Sequence, residues 1–197
     1  MSQSTTRKRL SPEKRKQQLL EAAIDLFAEK GIGEAKHADI ARRVGISTAA
    51  TFVYFPTREA LLEEVVDEVG RYFLTLFNDL EPHTVGAPAI LKALSARALL
   101  VLDERPSYMK VWLGWSTRFD LELRSRFMVV QEQILSKVSE ILWACEDSIS
   151  KENRDDARIL LSASHTLALM KLDGEPEEKI ERFTDHTIQV VLAYGRS

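Results

Sequence analysis

The chain is poor in several residue types and patterns. Its 197 residues include one cysteine, Cys145, with eight glycines and six prolines. A single thiol excludes a disulfide framework and any cysteine-based zinc site. No apolar run approaches the roughly 18–20 residues that span a bilayer. The opening MSQSTTRKRL has no apolar core of the kind a signal peptide carries. These absences predict a soluble, cytoplasmic protein with no membrane partner. An excess of one charge is also missing, because 27 basic residues stand against 30 acidic ones, a net −3. Taken whole, that balance speaks against a nucleic-acid partner. What is present is an ordinary globular composition, 45% hydrophobic and 29% charged, at a length suited to one domain or two small ones.

Catalytic and cofactor signatures are equally scarce. Gly31-Ile32-Gly33 is not followed by the third glycine or the lysine of a phosphate-binding loop. His37, His83, His165 and His186 are scattered, with no metal-ligand spacing, and no Ser-His-Asp grouping can be argued. His165, in an apolar stretch, reads as a hydrogen-bonded core histidine, and Cys145 as inert core. No enzyme, metal or cofactor is expected.

The net charge conceals a division. Residues 1–60 carry 11 basic and 7 acidic residues, a balance of +4, and the remainder carries −7. Arg7, Lys8, Arg9, Lys14, Arg15 and Lys16 face only Glu13 within the first 16 residues. An asymmetry of this kind marks either a nucleic-acid arm or a solvated tail.

The apolar pattern is helical throughout, and an all-α fold follows. Ser11 as N-cap, Pro12 at the first position and Gly31 at the end bound a helix from Pro12 to Lys30. Its apolar face is Leu19, Ala23, Leu26 and Phe27. Short helices are expected over His37–Val44 and Thr48–Phe55, separated by Gly45-Ile46-Ser47. Pro56 breaks the chain, and Thr57 can cap a long helix to about Leu80. Further helices are expected over about Ala89–Glu104, around Tyr108–Trp115, over Leu121–Glu146, from an Asn153 cap to Leu172, and finally to Tyr194. The predicted division is residues 1–56 and 57–197.

Residues 37–55, HADIARRVGISTAATFVYF, have the form of a helix-turn-helix. Gly45 can adopt positive φ at the turn. Ile40, Val44 and Ile46 lock the two helices, and Ser47 caps the second. The N-terminal part of that helix, which enters the major groove in such motifs, is expected to present Thr48, Ala49, Ala50, Thr51 and Val53. Phosphate contacts are expected from Lys36, Ser47, Thr48, Tyr54 and Arg58, with Phe55 in the core.

Gly31, Asp39-Ile40-Ala41, Gly45-Ile46-Ser47 and Tyr54-Phe55 followed by Arg58-Glu59-x-Leu61 resemble the TetR-type transcriptional regulators. RLSPEKRKQQLLE at 9–21, HADIA at 37–41, YFPTRE at 54–59 and KVWLGWS at 110–116 are similar to one branch, the vibrio quorum-sensing master regulators of the LuxR/HapR/SmcR type. The resemblance implies a DNA-binding homodimer whose N-terminal arm reaches the minor groove. Arg7 and Arg9 stand at the matching positions, counted back from Leu10-Ser11-Pro12. The sequence departs from the branch at 49–53, reading AATFV where the vibrio regulators have ATVFN. The Asn able to pair with adenine is Val53 here. Val53 and Ala50 can touch a thymine methyl but cannot hydrogen-bond, so a shifted operator preference is expected.

The resemblance also implies a C-terminal cavity and a four-helix dimer interface. Phe73, Leu74, Phe77, Trp112, Trp115, Phe127 and Leu135 form an aromatic-rich set that is either ordinary core or the wall of an apolar ligand pocket. Phe119 belongs to the same set, and Gln131, Gln133 and Thr75 are the polar candidates. Leu160, Ser164, Leu167, Phe183, Thr187 and Val191 are expected at the interface, because a helix apolar on more than one face must be buried on more than one side. Three functions remain open: a quorum-type master regulator, a TetR-type repressor released from an efflux or metabolic operon by a small apolar ligand, and a helical protein without DNA binding.

Overall fold

A computed structural model describes residues 10–81, 86–118, 121–145 and 154–194. Among these residues every regular element is a helix: α1 Pro12–Lys30, α2 His37–Val44, α3 Thr48–Tyr54, α4 Arg58–Thr75, α5 Ala87–Glu104, α6 Pro106–Ser116, α7 Leu121–Cys145, α8 Asp155–Leu172 and α9 Glu177–Tyr194. The chain divides into two compact units between Val65 and Val66. Leu61, Leu62 and Val65, in the first turns of α4, are buried.

In the N-terminal unit the helix ends are fixed by their immediate neighbours. The Ser11 hydroxyl accepts from Lys14 N at 3.3 Å, Ser47 from Ala50 N at 3.2 Å and Thr57 from Ala60 N at 3.1 Å. Each such cap is worth about 1 kcal/mol. At α2 the cap comes from inside the helix, where the Asp39 carboxylate accepts from Lys36 N at 3.1 Å and from Lys30 Nζ at 3.1 Å. Gly45 takes φ 74° and ψ 42°, the left-handed geometry glycine tolerates best, and donates to Ala41 O at 2.9 Å. That residue turns α2 into α3. Leu19, Ala23, Ile24, Ile40, Phe55, Leu61 and Val65 form the core of the unit, each fully buried.

The C-terminal unit is built from the remainder of α4 and α5–α9. Helix α9 packs on α8 and α5, α8 also packs on α5 and α7, and α6 on α5 and α7. Close approach is required at Gly70, where an added Cβ would stand 2.7 Å from Val130 Cγ2. An aromatic chain runs through the middle: Tyr72 to Tyr108 (4.9 Å between ring centroids), Phe73 to Trp112 (5.0 Å) and Trp112 to Phe127 (4.7 Å). The Arg105 guanidinium lies over the Tyr72 and Tyr108 rings.

Two boundaries differ from expectation. Helix α4 stops at Thr75 and not near Leu80. The next amides, of Leu76, Phe77 and Asn78, bond three residues back, and Asp79 takes φ 58°. This tightening closes the helix with no glycine or proline to announce it. Helix α5 starts at Ala87, two residues early, because Gly86 at φ 77° forms its N-cap and Pro88 sits in the first turn. The expected cap Asn153 lies outside the described residues.

Candidate functional site

Helix α3 presents a face set by its own periodicity. Thr48, Ala49, Phe52 and Val53 are exposed and occupy one continuous arc, with Val53 78% exposed and Phe52 45%. Thr51 and Phe55, one turn apart, point the other way and are fully buried. Ala50 and Tyr54 lie half-buried at the edges of the arc. The expectation that Thr51 faces outward is therefore corrected. Its hydroxyl is enclosed without a hydrogen-bond partner and cannot stand in for an outward threonine. Ala50 is only partly available.

The exposed arc is fixed from behind by His37. The His37 ring stacks on Phe52 with centroids 4.3 Å apart and planes at 12°. Its Nε2 lies 2.9 Å from Phe55 O. A carbonyl oxygen can only accept, so Nε2 carries the proton. One buried imidazole thus holds both the exposed aromatic ring and the end of α3.

Arg58 has a different role from the one expected. Its guanidinium donates to Ala35 O at 2.7 Å, to Gly33 O at 3.2 Å and to Ile32 O. These are the carbonyls of the loop between α1 and α2. With three hydrogen bonds from its Nη1 and Nη2 atoms directed there, Arg58 braces that loop. Lys36, Ser47 and Thr48 are exposed. Arg7 and Arg9 lie outside the described residues.

In the C-terminal unit a cavity of ≈ 80 Å³ lies among α4, α5, α6, α7 and α8. Of the residues expected in a pocket, Phe73, Phe77 and Trp112 line it. Leu74, Trp115, Phe127, Gln131 and Leu135 do not. Trp115, Phe127 and Leu135 are packed in the core, with Trp115 Nε1 buried and unpartnered. Thr75 donates to Tyr72 O and Gln133 lies on an exposed stretch of α7, so neither supplies the cavity. Phe119 lies outside the described residues.

The polar lining is instead Ser95, Ser164 and His165. Ser95 Oγ donates to Leu91 O at 2.9 Å and Ser164 Oγ to Leu161 O at 2.7 Å. Both hydroxyls therefore spend their proton on the helix and keep lone pairs free. Trp112 Nε1 donates to His165 Nε2 at 2.9 Å, which leaves the imidazole proton on Nδ1. Burial holds the His165 pKa below the ordinary histidine value. No Asp, Glu, Lys or Arg lines the cavity. Sequence reasoning places Ser164 at the interface and His165 in the core, and assigns Ser95 no role. The signal in the sequence is the Ser164-His165 pair, two helices on from Trp112.

The expected interface is corrected as well. Leu160 and Ser164 line the cavity, and Leu167 and Val191 are buried in the unit's own core. Phe183 and Thr187 are half-exposed. The faces that remain open are Ile159, Thr166 and Leu169 on α8, and His186 and Val190 on α9. Met170 and Phe183 share a shallow hollow joining the two helices.

Residues 19–65 match the family described as bacterial regulatory proteins, tetR family. The chain is 41% identical to the HTH-type transcriptional regulator LuxR of Vibrio harveyi over 110 residues, 56% of this chain and 54% of LuxR. It thus spans about half the length of that relative. In fold it is similar to a transcriptional regulator from Rhodococcus sp. RHA1, with TM-score 0.76, 23% identity and coverage of 92% of this chain and 98% of that one. It is also similar in fold to the Bacillus subtilis regulator FadR in complex with stearoyl-CoA, with TM-score 0.69, 14% identity and coverage of 89% and 96%. The motif around Gly45 lies inside the matched segment, so residues 19–65 are a domain of the tetR type of bacterial regulatory proteins, and the all-helical architecture agrees with it.

Proposed function

We propose that the protein is a homodimeric transcriptional regulator of the quorum-sensing master-regulator type, occupying operators as repressor or activator. The observation that carries this reading is the exposed arc of α3, backed by His37 and Phe55 within the segment matched to the tetR family, in a chain 41% identical to LuxR over 110 residues. In this reading residues 1–56 bind the duplex and residues 57–197 form the helical body. Thr48, Ala49 and Val53 meet base edges, with Ala50 at the rim. Lys36, Ser47 and Tyr54 meet phosphates, and Arg7 and Arg9 extend into the minor groove. The open faces of α8 and α9 pair with those of a second copy. Pairing also answers a geometric need, since two recognition helices must lie about 34 Å apart, or a multiple of that, along the duplex.

The test is a gel shift with promoter DNA from beside the protein's own gene across a salt series. A sequence-preferring shift that weakens steeply with salt is the expected result. Its absence at low salt overturns the reading and leaves a helical protein without DNA binding. Arg9→Ala is expected to weaken binding at fixed salt and to flatten the salt dependence.

A second reading, release from DNA by a small ligand, is favoured by the cavity beside Trp112. Its lining suits an uncharged, largely apolar molecule that donates to Ser95 or Ser164. A carboxylate would enter with no cation to meet it, at a large desolvation cost. A ligand releases DNA only if it binds the non-DNA-binding state better. Decanol should raise the melting temperature and lower operator affinity, and decanoate at the same concentration should do neither. A molecule that stabilises the protein yet leaves operator affinity unchanged overturns the release reading.

A further inference from the structure

An apolar patch this exposed calls for a partner, since Phe52, covered on one side by the His37 ring, and Val53, 78% exposed, project from the surface of the motif. Within the exposed arc of α3 the only hydrogen-bonding side chain is Thr48, at its first position. The arc contains no Arg, Lys, Asn, Gln, Asp or Glu. The side chains that read guanine, adenine and cytosine by paired hydrogen bonds are therefore missing where base edges would be met. Thr51, the helix's other threonine, is fully buried, and Tyr54 stands half-buried at the edge of the arc. What the arc offers is methyl and isopropyl surface, from Ala49 and Val53, beside an aromatic ring already held by His37.

The major groove has one complementary apolar feature, the 5-methyl group of thymine. We propose that α3 reads its half-site through pyrimidine 5-methyl groups, with Val53 as the specificity-determining contact. Thymine and 5-methylcytosine then offer Val53 the same methyl group at that position. Cytosine methylation within the half-site would strengthen binding, because it restores the group that Val53 touches. The proposal rests on the DNA-binding reading above, and it goes further by naming the chemical group that is read.

The test begins with a duplex selected by the full-length protein from a random library. Each thymine of the selected site is then replaced singly by deoxyuridine, which removes the methyl and changes no hydrogen bond. At one or two positions per half-site the affinity is expected to fall about fourfold, the worth of burying one methyl-sized group. Replacing that T·A pair by C·G is expected to weaken binding, and 5-methylcytosine opposite G to recover part of the loss. Val53→Ala, at an exposed position that should leave folding intact, is expected to abolish the deoxyuridine effect. Uniform affinity across all deoxyuridine duplexes overturns the proposal, as does a 5-methylcytosine that recovers nothing. A deoxyuridine effect that survives Val53→Ala overturns the assignment to Val53. Failure to select any duplex instead overturns the DNA-binding reading itself, so the two failures are distinguishable.

Discussion

Ser11, Ser47 and Thr57 cap three of the four helices that begin in the N-terminal unit, each accepting from an amide three residues on. In the C-terminal unit the polar contact at the centre joins Trp112 to His165, 53 residues apart. Lys171 likewise reaches Leu99 O across 72 residues, and Lys92 reaches Asp185 across 93. The helix starts of the first unit are thus set by signals acting within one turn of chain. The second is organised by contacts that form only when distant helices meet. A locally specified motif can hold its recognition face rigid with few residues. A unit specified at long range can enclose a cavity, because no single helix fixes the distance between its neighbours.

The strongest test of this comparison is to remove one large core side chain from each unit. Phe55 is fully buried and Phe127 is 1% exposed, so each change to Ala is expected to cost about 3–5 kcal/mol. The consequences should differ. All three tryptophans lie beyond residue 110, so their fluorescence reports the C-terminal unit and DNA binding reports the N-terminal one. Phe55→Ala is expected to abolish operator binding at 25 °C while tryptophan emission stays native. Phe127→Ala, which removes the ring beside Trp112, is expected to shift the emission. Loss of native emission in Phe55→Ala would mean that the units do not differ in the way described.

A smaller effect is expected at Gly70. Alanine normally favours a helix interior over glycine by up to about 1 kcal/mol. Here the new Cβ meets the branched end of Val130 at 2.7 and 2.8 Å. Valine is stiff at χ1 and cannot fold away. Overpacking of this kind costs about 1–3 kcal/mol, so Gly70→Ala should be destabilising on balance. In a Val130→Ala background the same change should become stabilising. Urea unfolding of the four proteins measures the reversal, and a Gly70→Ala penalty that persists without Val130 removes the close-approach explanation.

Ser47→Ala tests the local side of the comparison. Loss of the cap to Ala50 N should cost about 1 kcal/mol, whereas Ser47→Gly should cost only a few tenths. The thermal midpoint of the transition that abolishes operator binding is the measurement. Equal losses for the two variants would indicate that the hydroxyl does not cap α3.

The same distinction explains what could be read from the chain. The bounds Pro12–Lys30 and His37–Val44 were legible because Ser11-Pro12, Gly31 and Gly45 punctuate them. The end of α4 at Thr75 was not, since the closing turn rests on backbone geometry around Asp79. The burial of Thr51 was within reach, because it stands one turn before Phe55, a recognised core residue. Leu160 and Ser164 mark the limit. An apolar helix shows that several faces are covered, but not which one meets a cavity and which a partner. Gln131 was expected in the pocket on resemblance alone, whereas the polar lining comes from Ser95, Ser164 and His165. Fold and recognition helix were largely legible, and the cavity was not.

The smallest expected effect concerns His165, and it separates the units by pH. Burial lowers its pKa in the folded protein, while in the unfolded chain it titrates near the ordinary value of about 6.5. Above that pH the ring is neutral in both states and its contribution is complete. As pH falls through about 6.5 the unfolded chain takes up a proton that the folded protein resists, and stability declines. The decline levels off once pH passes below the lowered folded value, where both states are protonated. An imidazolium also cannot accept from Trp112 Nε1, so the 2.9 Å hydrogen bond is lost with the proton's arrival. His165→Gln keeps an acceptor and removes the titration. Between pH 7.5 and 5.5 the melting temperature of the C-terminal unit, followed by tryptophan fluorescence, should fall more in the parent protein than in the variant. Every other histidine is common to both proteins, so the difference reports His165 alone. Identical pH slopes would remove His165 as the source and would leave the Trp112 contact without a role in the pH response.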